Sequence, residues 1–188
     1  MKIEQLQEIN TLAAKRASEV LSKLTALSVA IGFSKVSTKK IEETSSLLAP
    51  EDLVVGLSQS VMGQVEGISL LAFPAETACV LSDLFLRRPR GTAKEIGELE
   101  SSGLKEIANI VVGGYFTVVA NTLEMKIMYR IPELRQGRLS ELMNQVKTMF
   151  SQAARQVALI EVAIVFEGQA LKGYLLFLFK EEGFLGLL

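Results

Sequence analysis

Two stretches of this chain, VEGISLLAF at 65–73 and LKGYLLFLF at 171–179, can be laid on one another with glycine on glycine, and the patterns around them recur in the same order. A helical pattern opens the chain over Ile3 to Leu24, where Leu6, Ile9, Leu12, Ala13, Ala17, Val20, Leu21 and Leu24 return at three- and four-residue spacing. A second one runs from about Ile96 to Thr122. Strand character follows each helix: Leu27 to Val36, Leu53 to Leu57, Ser60 to Val65 and Ile68 to Phe73 in the first part, then Lys126 to Ile131, Val157 to Glu167 and Leu171 to Phe179 in the second. Shorter helices are expected at Ala75 to Leu86, opened by Pro74, and at Ser140 to Ala154, with a helical turn at Ser45 to Ala49. A self-similar chain of this kind reads as one domain over 1–188 made of two repeats, about 1–90 and 95–188, joined by the linker RRPRGTAK at 87–94. The strands alternate around turn residues as hairpins do, and the helices are too few for a doubly wound parallel sheet. The expected fold is therefore α+β, a duplicated, pseudo-twofold domain whose antiparallel sheet carries the two long helices on one side.

Composition removes whole classes of function. Among 188 residues there is no histidine and one cysteine, so a Ser-His-Asp triad, a histidine zinc site and an internal disulfide are all excluded. Twenty basic against 21 acidic side chains give a net charge of −1, which offers no overall field for nucleic acid or anionic lipid. MKIEQLQEIN carries acids where a secretion signal needs an apolar run, and a cytoplasmic protein is the expectation. The uncharged stretch from Ile107 to Leu123 is broken by Asn109, Gly113, Gly114 and Asn121, and reads as a buried helix.

On that second long helix Leu104, Ile107, Ile110, Val111, Gly114 and Val118 make an apolar stripe, and the Gly113-Gly114 pair allows a neighbour to come close. Ser102, Glu106 and Asn109 fall on another side, at i, i+4 and i+7, and form an outward ridge two turns long. Asparagine has poor helix propensity and caps nothing at this position, a local cost without local return. A carboxamide both donates and accepts, so it can hold a water in line with a phosphoryl group without titrating. A carboxylate one turn away can pair with a lysine on another protein. Elsewhere, Cys79 reads as a small buried hydrophobe, Arg87, Arg88 and Arg90 as a solvated basic linker, and the terminal FLGLL as core or docking tail.

Ser102, Glu106, Asn109 and Pro132 together carry a resemblance. Residues 83–134 resemble the CheC family of chemotaxis phosphatases, whose signature is Asp or Ser, three residues, Glu, two residues, Asn, twenty-two residues, Pro, and these four residues match it at every position. The resemblance implies a hydrolase acting on the aspartyl phosphate of the response regulator CheY. Glu106 and Asn109 would be its catalytic pair, and Ser102 and Pro132 would support them. It implies no cofactor of the chain's own, with Mg2+ held in the CheY partner's site, and CheD as a further partner. In the first repeat the corresponding positions hold Glu4, Glu8, Thr11 and Ser34, so only the central acid survives, and Glu8 with Thr11 reads as a degenerate site. The alternative is a non-catalytic adaptor that binds CheD, or a flagellar switch component.

Overall fold

The computed structural model describes residues 3–34, 37–40, 53–149 and 156–179. Their elements, in chain order, are α1 (Ile3–Thr25), β1 (Val29–Phe33), β2 (Ser37–Lys40), β3 (Leu53–Gly63), β4 (Gly67–Pro74), α2 (Ala75–Phe85), α3 (Glu98–Thr122), β5 (Ile127–Tyr129), β6 (Glu133–Arg138), α4 (Leu139–Met149), β7 (Gln156–Phe166) and β8 (Gln169–Phe179). The expected turn at Ser45 to Ala49, the tail that ends in FLGLL, and the last residues of the helix expected to reach Ala154 lie outside the described residues.

All eight strands join one antiparallel sheet in the order β1-β7-β8-β4-β3-β5, with β2 also pairing β7 and β6 also pairing β3. Successive side chains of a strand point to opposite faces, and here both faces of the central strands are covered. Val55, Leu57, Leu71, Phe73, Leu175, Phe177 and Phe179 pack with Ile9, Ala13 and Ala17 of α1 and with Ile107, Val111 and Phe116 of α3. The alternate residues Val54, Leu70, Ala72, Leu176 and Leu178 pack with Leu139, Leu142, Met143 and Val146 of α4. Burial on both faces is why Leu70 to Phe73 is a continuous apolar run instead of an alternating one. The two long helices share one side of the sheet, as expected, and α4 covers the other.

Three strand expectations need correction. Leu53 to Leu57 and Ser60 to Val65 are a single strand, β3, whose polar middle marks the place where its edge partner changes. β6 pairs with residues 53–58 and β5 with 61–63. Between them the buried Gln59 amide donates to the Arg130 carbonyl at 3.0 Å, and the Arg130 amide donates to the Ser60 carbonyl at 3.0 Å. The strand expected over Lys126 to Ile131 is only Ile127–Tyr129, because the chain leaves the ladder at Arg130 and returns as β6, which the sequence reading did not anticipate. β2 was equally unanticipated. Cys79 is half-buried instead of fully buried, with its thiol pushed up by that burial.

At the centre of the sheet β4 and β8 pair from Gly67 with Phe179 to Ala72 with Tyr174. A methyl group on Gly67 would overlap the Leu178 carbonyl oxygen and the Phe179 ring, and one on Gly173 would overlap the Phe73 ring. Each glycine of the self-similar stretches therefore makes room for the phenylalanine that belongs to the other.

The segment between α2 and α3 is strapped down instead of loose. Asp83, with no exposed surface, accepts hydrogen bonds from the amides of Thr92 (2.9 Å) and Ala93 (3.0 Å) and pairs with Arg88 at 3.2 Å. Arg88 reaches on to Glu100 in the first turn of α3 at 2.7 Å, and the second Glu100 oxygen accepts from the Gly97 amide at 3.1 Å. Arg87 donates to the carbonyl of Leu24 at the end of α1. Two of the three arginines expected to be solvated thus hold helices in place.

Gly67→Ala must displace backbone, and should lose about 2 kcal/mol in denaturant titration. Gly32→Ala, whose added methyl meets nothing within 4 Å, should stay within about 0.5 kcal/mol of the parent. Asp83→Ala leaves the Thr92 and Ala93 amides without their acceptor and Arg88 with Glu100 alone, and should cost about 3 kcal/mol. The hydrogen bond from Arg88 holds the Glu100 carboxyl below its ordinary value of 4.5. Its stabilisation is therefore complete above that value and is lost as the pH falls through the lower folded one. Glu100→Gln should flatten the acid limb of the melting profile below about pH 4.5 and leave the neutral limb parallel to the parent's.

Candidate functional site

The rotation of α3 about its axis is set by what it buries. Leu104, Ile107, Ala108, Val111, Val112 and Tyr115 have no exposed surface. A methyl group on Gly114 would stand 3.6 Å from the Ala17 Cβ, so α1 and α3 approach closely at Ala13, Ala17 and Gly114. One on Gly113 would overlap the Tyr129 phenol, whose ring lies against the helix and stacks on Phe116 at 6.0 Å. By length and composition α3 could cross a membrane, but 72% of its apolar window is buried inside this fold, so its apolarity is accounted for by the core.

The opposite side of α3 is the ridge. Ser102 and Glu106 are exposed and Asn109 is half-buried. The Ser102 hydroxyl donates to the Glu98 carbonyl at 2.9 Å, which makes it a local helix partner. Glu106 and Asn109 have no side-chain hydrogen bond or ion pair with any described residue, so both heads are uncommitted. Leu99, 57% exposed, lies on the same face one turn before Ser102. Pro132 is buried in the connection between β5 and β6, next to Ile131, which is 83% exposed. Ile131 and Pro132 line a cleft of ≈ 670 Å³ together with Lys105, and Lys105 precedes Asn109 by one helical turn. Pro132 thus shapes the wall of a cleft beside the ridge.

The corresponding face of α1 is built differently. Glu8 and Thr11 are exposed, but the Thr11 hydroxyl donates to the Gln7 carbonyl of its own helix at 2.8 Å. An asparagine does stand next door, Asn10, and it is turned inward: its amide donates to the Ser34 carbonyl at 2.9 Å, and its oxygen accepts from the buried Tyr115 hydroxyl at 3.2 Å. Burial raises the Tyr115 phenol far above its ordinary value, so this hydroxyl remains a donor. Ser34, at the position corresponding to Pro132, is tied to β7 through the amide and carbonyl of Glu161. The Glu4 side chain lies outside the described residues. Among the described residues no group of three or more Cys, Asp or Glu comes together as a metal site.

Sequence reasoning missed the cations beside the ridge, Lys105, Arg130 and Arg135, and the Asp83–Arg88–Glu100 strap. The position of Lys105, four residues before Asn109, was a usable signal. Nothing in local spacing brings Arg130 to Lys105.

No protein-family model matches the sequence, and no curated protein does. Solved structures do match. FliY from Thermotoga maritima is 21% identical over 94% of this chain and 90% of that one, with a TM-score of 0.75. FliM in a FliG–FliM complex from H. pylori is 17% identical over 95% and 94%, with a TM-score of 0.65. CheX in a complex with CheY, BeF3 and Mg2+ from Borrelia burgdorferi is 16% identical over 96% and 100%, with a TM-score of 0.57. The chain has the fold shared by FliY, the FliM middle domain and CheX.

Proposed function

We propose that this protein is a phosphatase for the aspartyl phosphate of a CheY-type receiver domain, with Asn109 and Glu106 as its working residues. The observation that carries the proposal is the uncommitted Asn109 amide, set beside an uncommitted carboxylate on the bare side of a helix whose other side is locked into the core. An amide held this way can accept from a water with its oxygen and donate to a phosphoryl oxygen with its NH2, so it orients the nucleophile without changing protonation. Glu106 pairs with a lysine of the partner and fixes the register of docking. Charge neutralisation belongs to the receiver and its magnesium, so the phosphatase needs no metal of its own. The complex of the structural neighbour CheX with CheY, BeF3 and Mg2+ supports this division of labour. Exposed Leu99 and Ile131 flank the ridge and supply apolar contact for a protein partner.

Within the proposal the two halves of the chain are repeats of one plan, of which only the second works. The reciprocal glycine and phenylalanine contacts of β4 and β8 favour the duplication, and the self-bonded Thr11 explains the idle first copy. The cytoplasm, where receiver domains act, is the proposed location. The rival reading is a non-catalytic module that binds CheD or takes part in the flagellar switch. Likeness to the FliM middle domain favours it, and the bare Asn109–Glu106 pair counts against it.

Asn109→Ala should slow dephosphorylation of a phosphorylated CheY receiver by about 100- to 1,000-fold, the loss of one preorganised donor, without lowering the melting temperature. Glu106→Gln should weaken docking, and Thr11→Ala should change nothing. Parent turnover in Asn109→Ala would remove the assigned role, and absence of turnover by the parent itself would leave the binding-module reading.

A further inference from the structure

The cleft beside the ridge has no part in the mechanism above. It opens at the β5–β6 edge of the sheet, and its charged lining is Lys105, Arg130, Arg135 and Glu133. Three cations thus meet one carboxylate. Glu133 is already shared with Arg135, at 3.7 Å, and Arg135 also donates to Gln145 at 3.1 Å. Lys105 and Arg130 have no ion pair among the described residues. Arg130 is also held in place, since Gln59 grips its carbonyl and Ser60 its amide. In a chain with 20 basic and 21 acidic residues this is a local surplus of positive charge around one cleft, whose Lys105 stands one helical turn from Asn109.

A partner that holds magnesium next to an acyl phosphate must surround both with hard oxygen ligands, chiefly carboxylates, and the phosphoryl group adds its own negative charge. One or two carboxylates and a doubly charged phosphoryl group outweigh the two positive charges of the magnesium, so the rim of such a site is negative. We infer that the Lys105–Arg130–Arg135 cleft is the electrostatic half of the docking surface: it receives the carboxylate-rich rim of the receiver's magnesium site and sets the rate and orientation of encounter. This rests on the phosphatase assignment of Asn109 and Glu106 and deepens it. The occupant is a protein surface instead of a free anion because the same cleft is walled by exposed Ile131 and by Pro132, which give apolar contact that a small ion cannot use. Exposed charges at an interface rim act mainly on association and lose their effect as salt screens them. The three cations therefore govern capture, and Asn109 governs the chemical step.

The test compares the parent, the Lys105→Glu/Arg130→Glu double variant and Asn109→Ala. Turnover is followed on a phosphorylated CheY receiver, and binding on the same receiver loaded with beryllofluoride and magnesium. At about 0.01 M ionic strength the double variant should lose about tenfold or more in kcat/KM and in association rate, with kcat and melting temperature kept. The gap should close toward about 1 M salt, where the screening length is about 3 Å. Asn109→Ala should show the opposite split, with binding kept and kcat lost. Parent-like kcat/KM and binding in the double variant at low salt overturn the inference, as does a loss confined to kcat. Tight binding of inorganic phosphate to the parent that the double variant abolishes also overturns it, because the cleft is then a small-anion site. Salt-sensitive, reversal-sensitive binding of the loaded receiver without any turnover upholds the docking surface and sinks the phosphatase assignment instead.

Discussion

Everything at the candidate site depends on the angle at which α3 is rotated about its own axis. Residues three or four apart share a helical face, so the burial of Leu104, Ile107, Ala108, Val111 and Tyr115 dictates that Glu106 is turned outward and Asn109 to the border of the core. Gly113 and Gly114 hold that angle from two sides, one beneath Tyr129 and one beneath α1. The strap from Asp83 through Arg88 to Glu100 holds the first turn. A rod gripped along one side and at its end presents a short side chain in a fixed place, and an amide needs that if it is to aim a water.

Much of this was legible before any coordinates, for a physical reason. A helix half-buried against a sheet must write its orientation into the sequence, and the stripe from Leu104 to Val118 does so, with the ridge falling on the side it leaves free. The glycine pair was legible as a close approach, though not that its two members face different neighbours. The self-similar strands were legible because burial on both faces forces unbroken apolar runs. Their pairing partners were not, because a strand's sequence reports what it buries and carries no mark of which neighbour supplies the hydrogen bonds.

What escaped the sequence was polar and non-local. β6, ELRQGR, is an edge strand of charged and half-exposed residues with no apolar alternation to betray it. The polar centre of β3 looked like the end of one strand and the start of another, when Gln59 is a buried bracket for a chain that leaves the ladder. RRPRGTAK has the composition of a linker, and only the arrival of Asp83 and Glu100 from either side turns it into a strap. Net charge misled in the same way: a value of −1 is a sum, and it hides the separation that puts Lys105 and Arg130 on the lining of one cleft. That Thr11 offers a hydroxyl where the second ridge has an amide was legible, but that the neighbouring Asn10 is turned inward required the long-range contacts with Ser34 and Tyr115.

The order of strands has a consequence for how the chain reaches this state. Among the described strands β1, from the first part of the chain, finds its neighbour in β7, while β5 and β6, from the second, find theirs in β3. The β3–β4 hairpin formed early in synthesis therefore waits with both margins open, and β8, the last described strand, closes the centre. Neither part holds all the described strands of the sheet, so a nascent chain that stops short of β7 and β8 leaves β1 and β4 without those partners, and assembly is governed by contacts distant along the polypeptide. The same crossing that lets two modest layers share one interior makes the molecule indivisible, and assigns the hazard of premature association to the interval before β8 emerges.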